Sequence, residues 1–174
     1  YYKEFGIKRF IIRLSRIYLY HPNPYTFTDG KKVLVSDRAL IYKAMKGEPI
    51  EIWGDPKRVL ETVSVYDFLQ IIEKALISNS DGGIFNVGSG GSTLEERVKG
   101  IVDVFCKQDK KSEIIYCPEK PNGTQFVLDI SKTISELGYQ PQYSWRDYLV
   151  RFKQEMETQP FAKLWGREED YFKF

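Results

Sequence analysis

The chain reads as an α/β protein, a small mixed sheet with helices, organised as one unit over residues 1–174 with a charged tail from 156 to 174. Three observations predict this. β-type apolar runs alternate with helical patterns along the whole length. Gly, Pro, Asn and Asp clusters fall between them as turns. The balance of 42% apolar and 29% charged residues over 174 positions is that of a globular chain able to bury a core. No internal repeat or low-complexity linker interrupts the pattern.

The elements follow in order. Residues 1–5 read as the last turn of a helix, with Gly6 where a C-terminal glycine belongs. Ile7–Tyr18 reads as a strand, and the run Phe10-Ile11-Ile12 predicts burial on both faces, as in a parallel sheet. His21-Pro22-Asn23-Pro24 is a loop. Ser36–Lys46 is a helix closed by Gly47, and Ile50–Trp53 a strand closed by Gly54-Asp55-Pro56. Val59–Val65 alternates as a strand, and Tyr66-Asp67 opens a helix to about Ser78. Ile84–Val87 is a strand, followed by Gly88-Ser89-Gly90-Gly91. Ser92 and Glu95 fit a capping box for a helix over 93–107. Ser112–Tyr116 is a strand, 118–125 a loop, Asp129 to Gly138 a short helix with its stop, and Trp145–Met156 an amphipathic helix. The tail segment Arg167–Asp170 is expected to be exposed.

Composition excludes several classes. A net charge of +2 from 26 basic and 24 acidic residues leaves no electrostatic footprint for nucleic acid. Two cysteines, Cys106 and Cys117, and one histidine, His21, do not make a zinc site, and no structural disulfide is expected. No apolar run approaches the roughly 20 residues that span a bilayer. The first residues lack the apolar core of a signal peptide. A cytoplasmic location is the expectation, with no metal and no membrane partner.

Three motifs tempt a catalytic reading. Gly88-Ser89-Gly90-Gly91 between a strand and a helix has the setting of a phosphate cradle, but Thr93 stands where the third glycine of the dinucleotide fingerprint belongs, so a tight turn with a helix cap is the preferred reading. Tyr-x-x-x-Lys, whose lysine lowers a tyrosine pKa for proton transfer, occurs at Tyr42–Lys46 and Tyr116–Lys120. Among 12 tyrosines such matches arise by chance, and Pro118 breaks the second. His21 has no Gly-x-Ser-x-Gly elbow to serve. No catalytic residue is therefore assigned.

Six segments in order resemble one family. Ile12-Arg13-Leu14-Ser15-Arg16-Ile17-Tyr18 resembles a Leu-Arg-x-x-x-x-Tyr-Gly-Pro strand. Gly47-Glu48-Pro49-Ile50 with Trp53-Gly54-Asp55 resembles a Gly-Glu-Pro-Ile…Gly-Asp-Gly hairpin. Val63-Ser64-Val65-Tyr66-Asp67 resembles Val-x-Val-Asp-Asp, and Phe85-Asn86-Val87-Gly88-Ser89-Gly90 resembles Tyr-Asn-Val-Gly-Ser-Gly. Lys120-Pro121-Asn122-Gly123-Thr124 is similar to Lys-Pro-Asp-Gly-Thr. Asp129-Ile130-Ser131-Lys132 with Leu137-Gly138-Tyr139 resembles Asp-Ile-Ser-Lys…Leu-Gly-Trp. Over about residues 5–155 these resemble the extended short-chain dehydrogenase/reductase family of sugar-nucleotide epimerases, dehydratases and reductases.

The resemblance implies the C-terminal, substrate-binding portion of an NAD(P)-binding Rossmann-type enzyme. The glycine-rich cofactor loop and the Tyr-x-x-x-Lys of the family lie upstream of its start, so whether the chain is itself an enzyme is left open. NAD or NADP is expected in the parent, and none is expected to bind this chain alone. Carried over by position, Leu14 and Ser15 fall at the cofactor, Arg16 at the nicotinamide and sugar, Trp53 at the nucleotide base, and Lys120 near the diphosphate. Tyr18-Leu19-Tyr20 departs from Tyr-Gly-Pro. Leu60 stands where the family has an arginine, and Arg58, on the same strand face, is the candidate substitute. The expected partners are a nucleoside-diphosphate sugar, the missing N-terminal Rossmann half, and further copies of the chain through strands left open. The alternative is a non-catalytic binding or assembly module derived from the family.

Overall fold

The computed structural model describes residues 2–172. Tyr1 of the expected first helical turn, and Lys173 and Phe174 of the expected tail, lie outside the described residues. In chain order the elements are α1 (Tyr2–Phe5), β1 (Arg9–Leu14), β2 (Arg16–Tyr18), β3 (Tyr25–Thr28), β4 (Lys31–Leu34), α2 (Ser36–Lys46), β5 (Ile50–Trp53), β6 (Val59–Leu60), β7 (Thr62–Ser64), α3 (Val65–Ile77), β8 (Gly82–Val87), β9 (Ser92–Thr93), α4 (Leu94–Phe105), β10 (Ile114–Cys117), α5 (Ser131–Leu137), α6 (Trp145–Thr158) and α7 (Ala162–Trp165), then a 3₁₀ turn at Glu168–Phe172. They gather into two compact units. The first comprises residues 1–18, 59–92 and 124–144; the second 19–58, 93–123 and 145–174.

In the first unit the expected long strand is two. β1 pairs in parallel with β8, from Arg9↔Gly82 to Leu14↔Val87. After Ser15 the chain changes partner, and β2 runs parallel to β7, from Arg16↔Thr62 to Tyr18↔Ser64. Phe10, Ile12 and Leu14 pack on a core of Val63, Ile71, Phe85, Val87, Leu137 and Tyr139. The expectation of burial on both faces fails here. Ile11 is 39% exposed and Ile84, its register partner, 40% exposed. A strand whose side chains alternate between faces needs cover on both to bury a continuous apolar run, and β1 is covered on one.

Helix α3 starts at Val65 because Ser64 caps it, its hydroxyl accepting the Tyr66 N–H at 3.2 Å. It turns Asp67, Ile71 and Ala75 inward. The buried Asp67 carboxylate accepts the N–H groups of Gln142 and Tyr143, and desolvation pushes its pKa up against the pull of those two donors. Glu61, only 3% exposed, accepts the N–H of Gly90 at 2.8 Å and of Leu128 at 2.6 Å. One carboxylate thereby fixes two loops far apart in sequence.

In the second unit, helices α2 and α4 pack on β5, which pairs in parallel with β10 from Ile50↔Ile114 to Trp53↔Cys117, and α6 packs on α4. Ile41, Ala44, Ile50, Ile52, Val98, Ile101, Val102, Phe105, Leu149 and Phe152 form the core with Tyr20. The capping box of α4 sits one residue later than expected: Thr93 and Glu96 exchange the reciprocal bonds, not Ser92 and Glu95. A hairpin of β3 and β4 was not expected. Its signal was Asp29-Gly30, both at positive φ (50° and 72°), the two-residue turn that matches strand twist.

The tail also differs from expectation. Arg167, Glu169 and Asp170 are exposed, but the Glu168 side chain, 12% exposed, turns inward. Its carboxylate meets Arg38 at 3.3 Å and accepts the hydroxyls of Tyr42 at 2.5 Å and Tyr20 at 3.2 Å. The Arg38 guanidinium also donates to the His21 carbonyl at 2.8 Å. Burial, then the nearby Glu168 charge, pushes the Tyr20 phenol from 10.0 up to about 12, and Tyr42 is raised further by burial and its bond to Glu168.

Two outcomes follow. Replacing Glu61 with Leu leaves the Gly90 and Leu128 N–H groups without their acceptor and should cost about 3 kcal/mol, read as a lowered urea midpoint. For the tyrosines, the folded pKa lies above the unfolded one. Stability from Tyr20 is therefore whole below pH 10.0 and is lost as pH rises toward about 12. Urea midpoints should fall across that window, and Tyr42→Phe should flatten the fall.

Candidate functional site

The change of partner at Ser15 marks one place where the first unit can receive a ligand. Open α/β sheets bind ligands beyond the carboxyl ends of strands, where the pairing order switches. The Ser15 N–H still bonds the Val87 carbonyl at 3.2 Å, the last link to β8. Its side chain is buried, and the hydroxyl has no hydrogen-bond partner among the described residues. Leu14 is turned toward the core, and Arg16 lies exposed on β2. Of the residues carried over to the cofactor position, Ser15 alone presents an unused polar group at the switch.

The neighbouring loop is committed to the protein itself. The Gly88 carbonyl accepts the Tyr139 hydroxyl at 3.0 Å, and Ser89 Oγ donates to the Thr62 carbonyl at 2.5 Å. Gly90 gives its N–H to Glu61. A side chain at Gly88 would overlap the Glu61 carboxylate. An anion of the protein thus holds the position a phosphate would need, so the residues do not fit a dinucleotide pyrophosphate there. The turn-and-cap reading describes the segment.

In the second unit the structure brings together the other three sequence-derived residues. Parallel pairing puts the ends of β5 and β10 side by side, and the Cys117 carbonyl accepts both the Gly54 N–H at 3.0 Å and the Lys120 N–H at 3.1 Å. The Asn122 side-chain oxygen accepts the Asp55 N–H at 2.6 Å. Loops 54–58 and 118–123 are therefore joined. Trp53 is 47% exposed, not core, and its indole N–H donates to Glu51 at 2.6 Å. The Lys120 ammonium stands 5.5 Å from the Trp53 ring centroid, a cation–π contact. Among the described residues Arg58 Nε and Nη1 are buried without hydrogen-bond partners, and a Cβ at Gly123 would stand 2.7 Å from Nη1.

This arrangement presents an aromatic face beside an ammonium, with an under-bonded guanidinium on the facing loop. A guanidinium without its donors used is costly to bury, and an anion supplies what it lacks. Sequence reasoning missed Asn122 as the tie between the loops. The turn dipeptides Gly54-Asp55 and Asn122-Gly123 were its only signal.

The tempting motifs resolve by their contacts. Tyr42 is held by Glu168, which raises its pKa where a dyad must lower it, and Lys46 faces Glu48 at 3.8 Å. The Tyr116 hydroxyl donates to Glu95 at 2.6 Å, which likewise raises it, while Lys120 lies over Trp53. His21 stacks on Trp165 with centroids 4.9 Å apart, and its Nδ1 accepts the Asn23 N–H. Cys106 and Cys117 are free thiols. Among the described residues no three His, Cys, Asp or Glu side chains gather to hold a metal, and no helix is long and apolar enough to cross a membrane.

No protein-family model matches the chain. A dTDP-glucose 4,6-dehydratase of Xanthomonas campestris pv. campestris is 30% identical over 140 residues, covering 74% of this chain and 38% of the relative. The solved structure of UDP-glucose 4-epimerase from Thermotoga maritima with UDP-glucose has a TM-score of 0.68 at 22% identity, covering 91% of this chain and 48% of that one. UDP-glucuronic acid 4-epimerase from Bacillus cereus, solved with UDP-glucuronic acid and NAD, has a TM-score of 0.61 at 20% identity, covering 89% and 48%. At those identities the structural likeness is one of fold, and the chain spans less than half the length of each of these proteins. Motifs, alternating elements and relatives agree: the chain belongs to the extended short-chain dehydrogenase/reductase family and matches part of the length of its relatives.

Proposed function

We propose that this chain supplies the portion of an NAD(P)-dependent epimerase, dehydratase or reductase that holds a nucleoside-diphosphate sugar. One observation carries the reading: Trp53, Lys120 and Arg58 stand on two loops joined through Cys117 and Asn122. The Trp53 face suits a flat nucleobase. Lys120 and the unused Arg58 nitrogens suit the charge of a diphosphate. Arg58 takes this role where the resemblance has an arginine at the position of Leu60.

In this reading the chain's residues bind and orient, and no proton transfer is assigned to them. The dinucleotide is the source of hydride chemistry and belongs to a Rossmann half. Its pyrophosphate has no cradle at Gly88–Gly91, where Glu61 takes the Gly90 N–H. The open face of β1 and β8, with Ile11 against Ile84, is the surface on which that half packs. Left uncovered, it favours association between copies of the chain. A purely assembling module would keep this face and dispense with the cations and Trp53.

Calorimetric titration separates these readings. Thymidine or uridine diphosphate should bind the chain, and Lys120→Ala or Arg58→Met should each cost about 1–3 kcal/mol of that affinity. Trp53→Ala should weaken binding as well, with quenching of the exposed indole lost. NAD should give no heat beyond dilution. A chain indifferent to both diphosphates, or variants that bind as well as the parent, would leave assembly as the role.

A further inference from the structure

We infer that Asn122 is a self-modifying position, whose side-chain amide is converted to a carboxylate through a cyclic imide closed by the backbone nitrogen of Gly123. Such closure needs a polarised side-chain carbonyl and an available backbone amide nitrogen. Both stand together here.

The Asn122 side-chain oxygen accepts the Asp55 N–H at 2.6 Å. That donor polarises the carbonyl and stabilises the negative charge the oxygen takes on when its carbon is attacked, as an oxyanion donor does. The Gly123 N–H has no hydrogen-bond partner among the described residues, so nothing in the fold competes for the nitrogen. Glycine carries no side chain to obstruct the five-membered ring, and both residues are exposed. The Arg58 guanidinium, with Nε and Nη1 unpartnered, lies directly against Gly123. A cation there favours loss of the Gly123 amide proton, because the nitrogen becomes an anion in doing so.

The step balances without any co-reactant but water. Gly123 N loses its proton and bonds to Asn122 Cγ. The Cγ–Nδ2 bond breaks, and Nδ2 leaves as ammonia carrying the proton. Water then adds to either imide carbonyl, giving aspartate at 122 or its isomer with the backbone routed through the side chain. No electrons are transferred.

The product changes the loop. A negative charge arises at the residue before Gly123, against which Arg58 lies, and on the same loop as Lys120, where it competes for the cations that a diphosphate uses. This consequence rests on the proposed nucleotide-binding role, whereas the conversion itself does not. The modification acts as a one-way attenuator of anion binding.

The test is incubation of the whole chain at mildly alkaline pH, with peptide mapping by mass spectrometry and isoaspartyl methyltransferase labelling. The chain has three other asparagines, Asn23, Asn79 and Asn86, as internal controls. Asn122 should convert to a mixture of the two acids while the controls remain amides. It should convert at least as fast in the folded protein as in the same chain unfolded in urea, since the fold supplies the two assisting groups. Arg58→Met, checked for folding by circular dichroism, should slow it about tenfold, the effect of a one-unit pKa shift. Slower conversion on folding overturns the inference, and the urea comparison needs no variant. A folded Arg58→Met protein with an unchanged rate also overturns it. Converted protein should bind thymidine diphosphate about tenfold more weakly than unconverted protein. If unconverted protein takes up no diphosphate, the nucleotide-binding role fails while the conversion, read by mass, stands.

Discussion

Parallel strand pairing is the constraint from which the rest of this structure follows. β1 with β8, β2 with β7 and β5 with β10 are all parallel and join segments remote in sequence. Parallel partners cannot be linked by a tight turn, so each needs a long crossover, here supplied by helices. The same geometry places the loops that leave two partner strands at one end. Trp53 and Lys120 become neighbours because β5 and β10 end together, although 67 residues separate Asp55 from Asn122, which ties the loops.

Much of this was legible in the residues, and the failures have physical causes. The helix over 36–46 with Gly47 as its stop, the strand at 50–53 and the short helix ended by Gly138 follow from periodicity and glycine placement. The strand over 7–18 was read correctly as β but not as broken. Apolarity reports burial without saying which partner supplies it, and the exchange at Ser15 is decided by β7 and β8. The shift of the capping box from Ser92–Glu95 to Thr93–Glu96 shows the limit of a spacing rule where two adjacent residues satisfy it equally. The hairpin carried its own signal in Asp29-Gly30.

At the candidate site, residue types were readable and their roles only partly so. The residue type of Trp53 does not by itself reveal exposure, and the fold leaves it 47% exposed. Glu61 drew no attention in the sequence because a single glutamate carries no pattern. Its importance comes from the two backbone donors that tertiary structure delivers to it. Leu14 shows the converse. A positional likeness brought it forward, while strand alternation turns its side chain toward the core.

The inward-turned Glu168 has a consequence for the order of synthesis. Arg38 is made 130 residues before Glu168, and Tyr42 126 residues before it. A ribosome therefore releases α2 long before the carboxylate that neutralises its buried guanidinium. Until then Arg38 can only remain solvated or lean on the His21 carbonyl, because an unpaired buried charge is costly. The packing around α2 is thus completed only once Glu168 is available to it. Any cut or substitution that removes Glu168 therefore leaves α2 with a cation it can no longer bury at low cost.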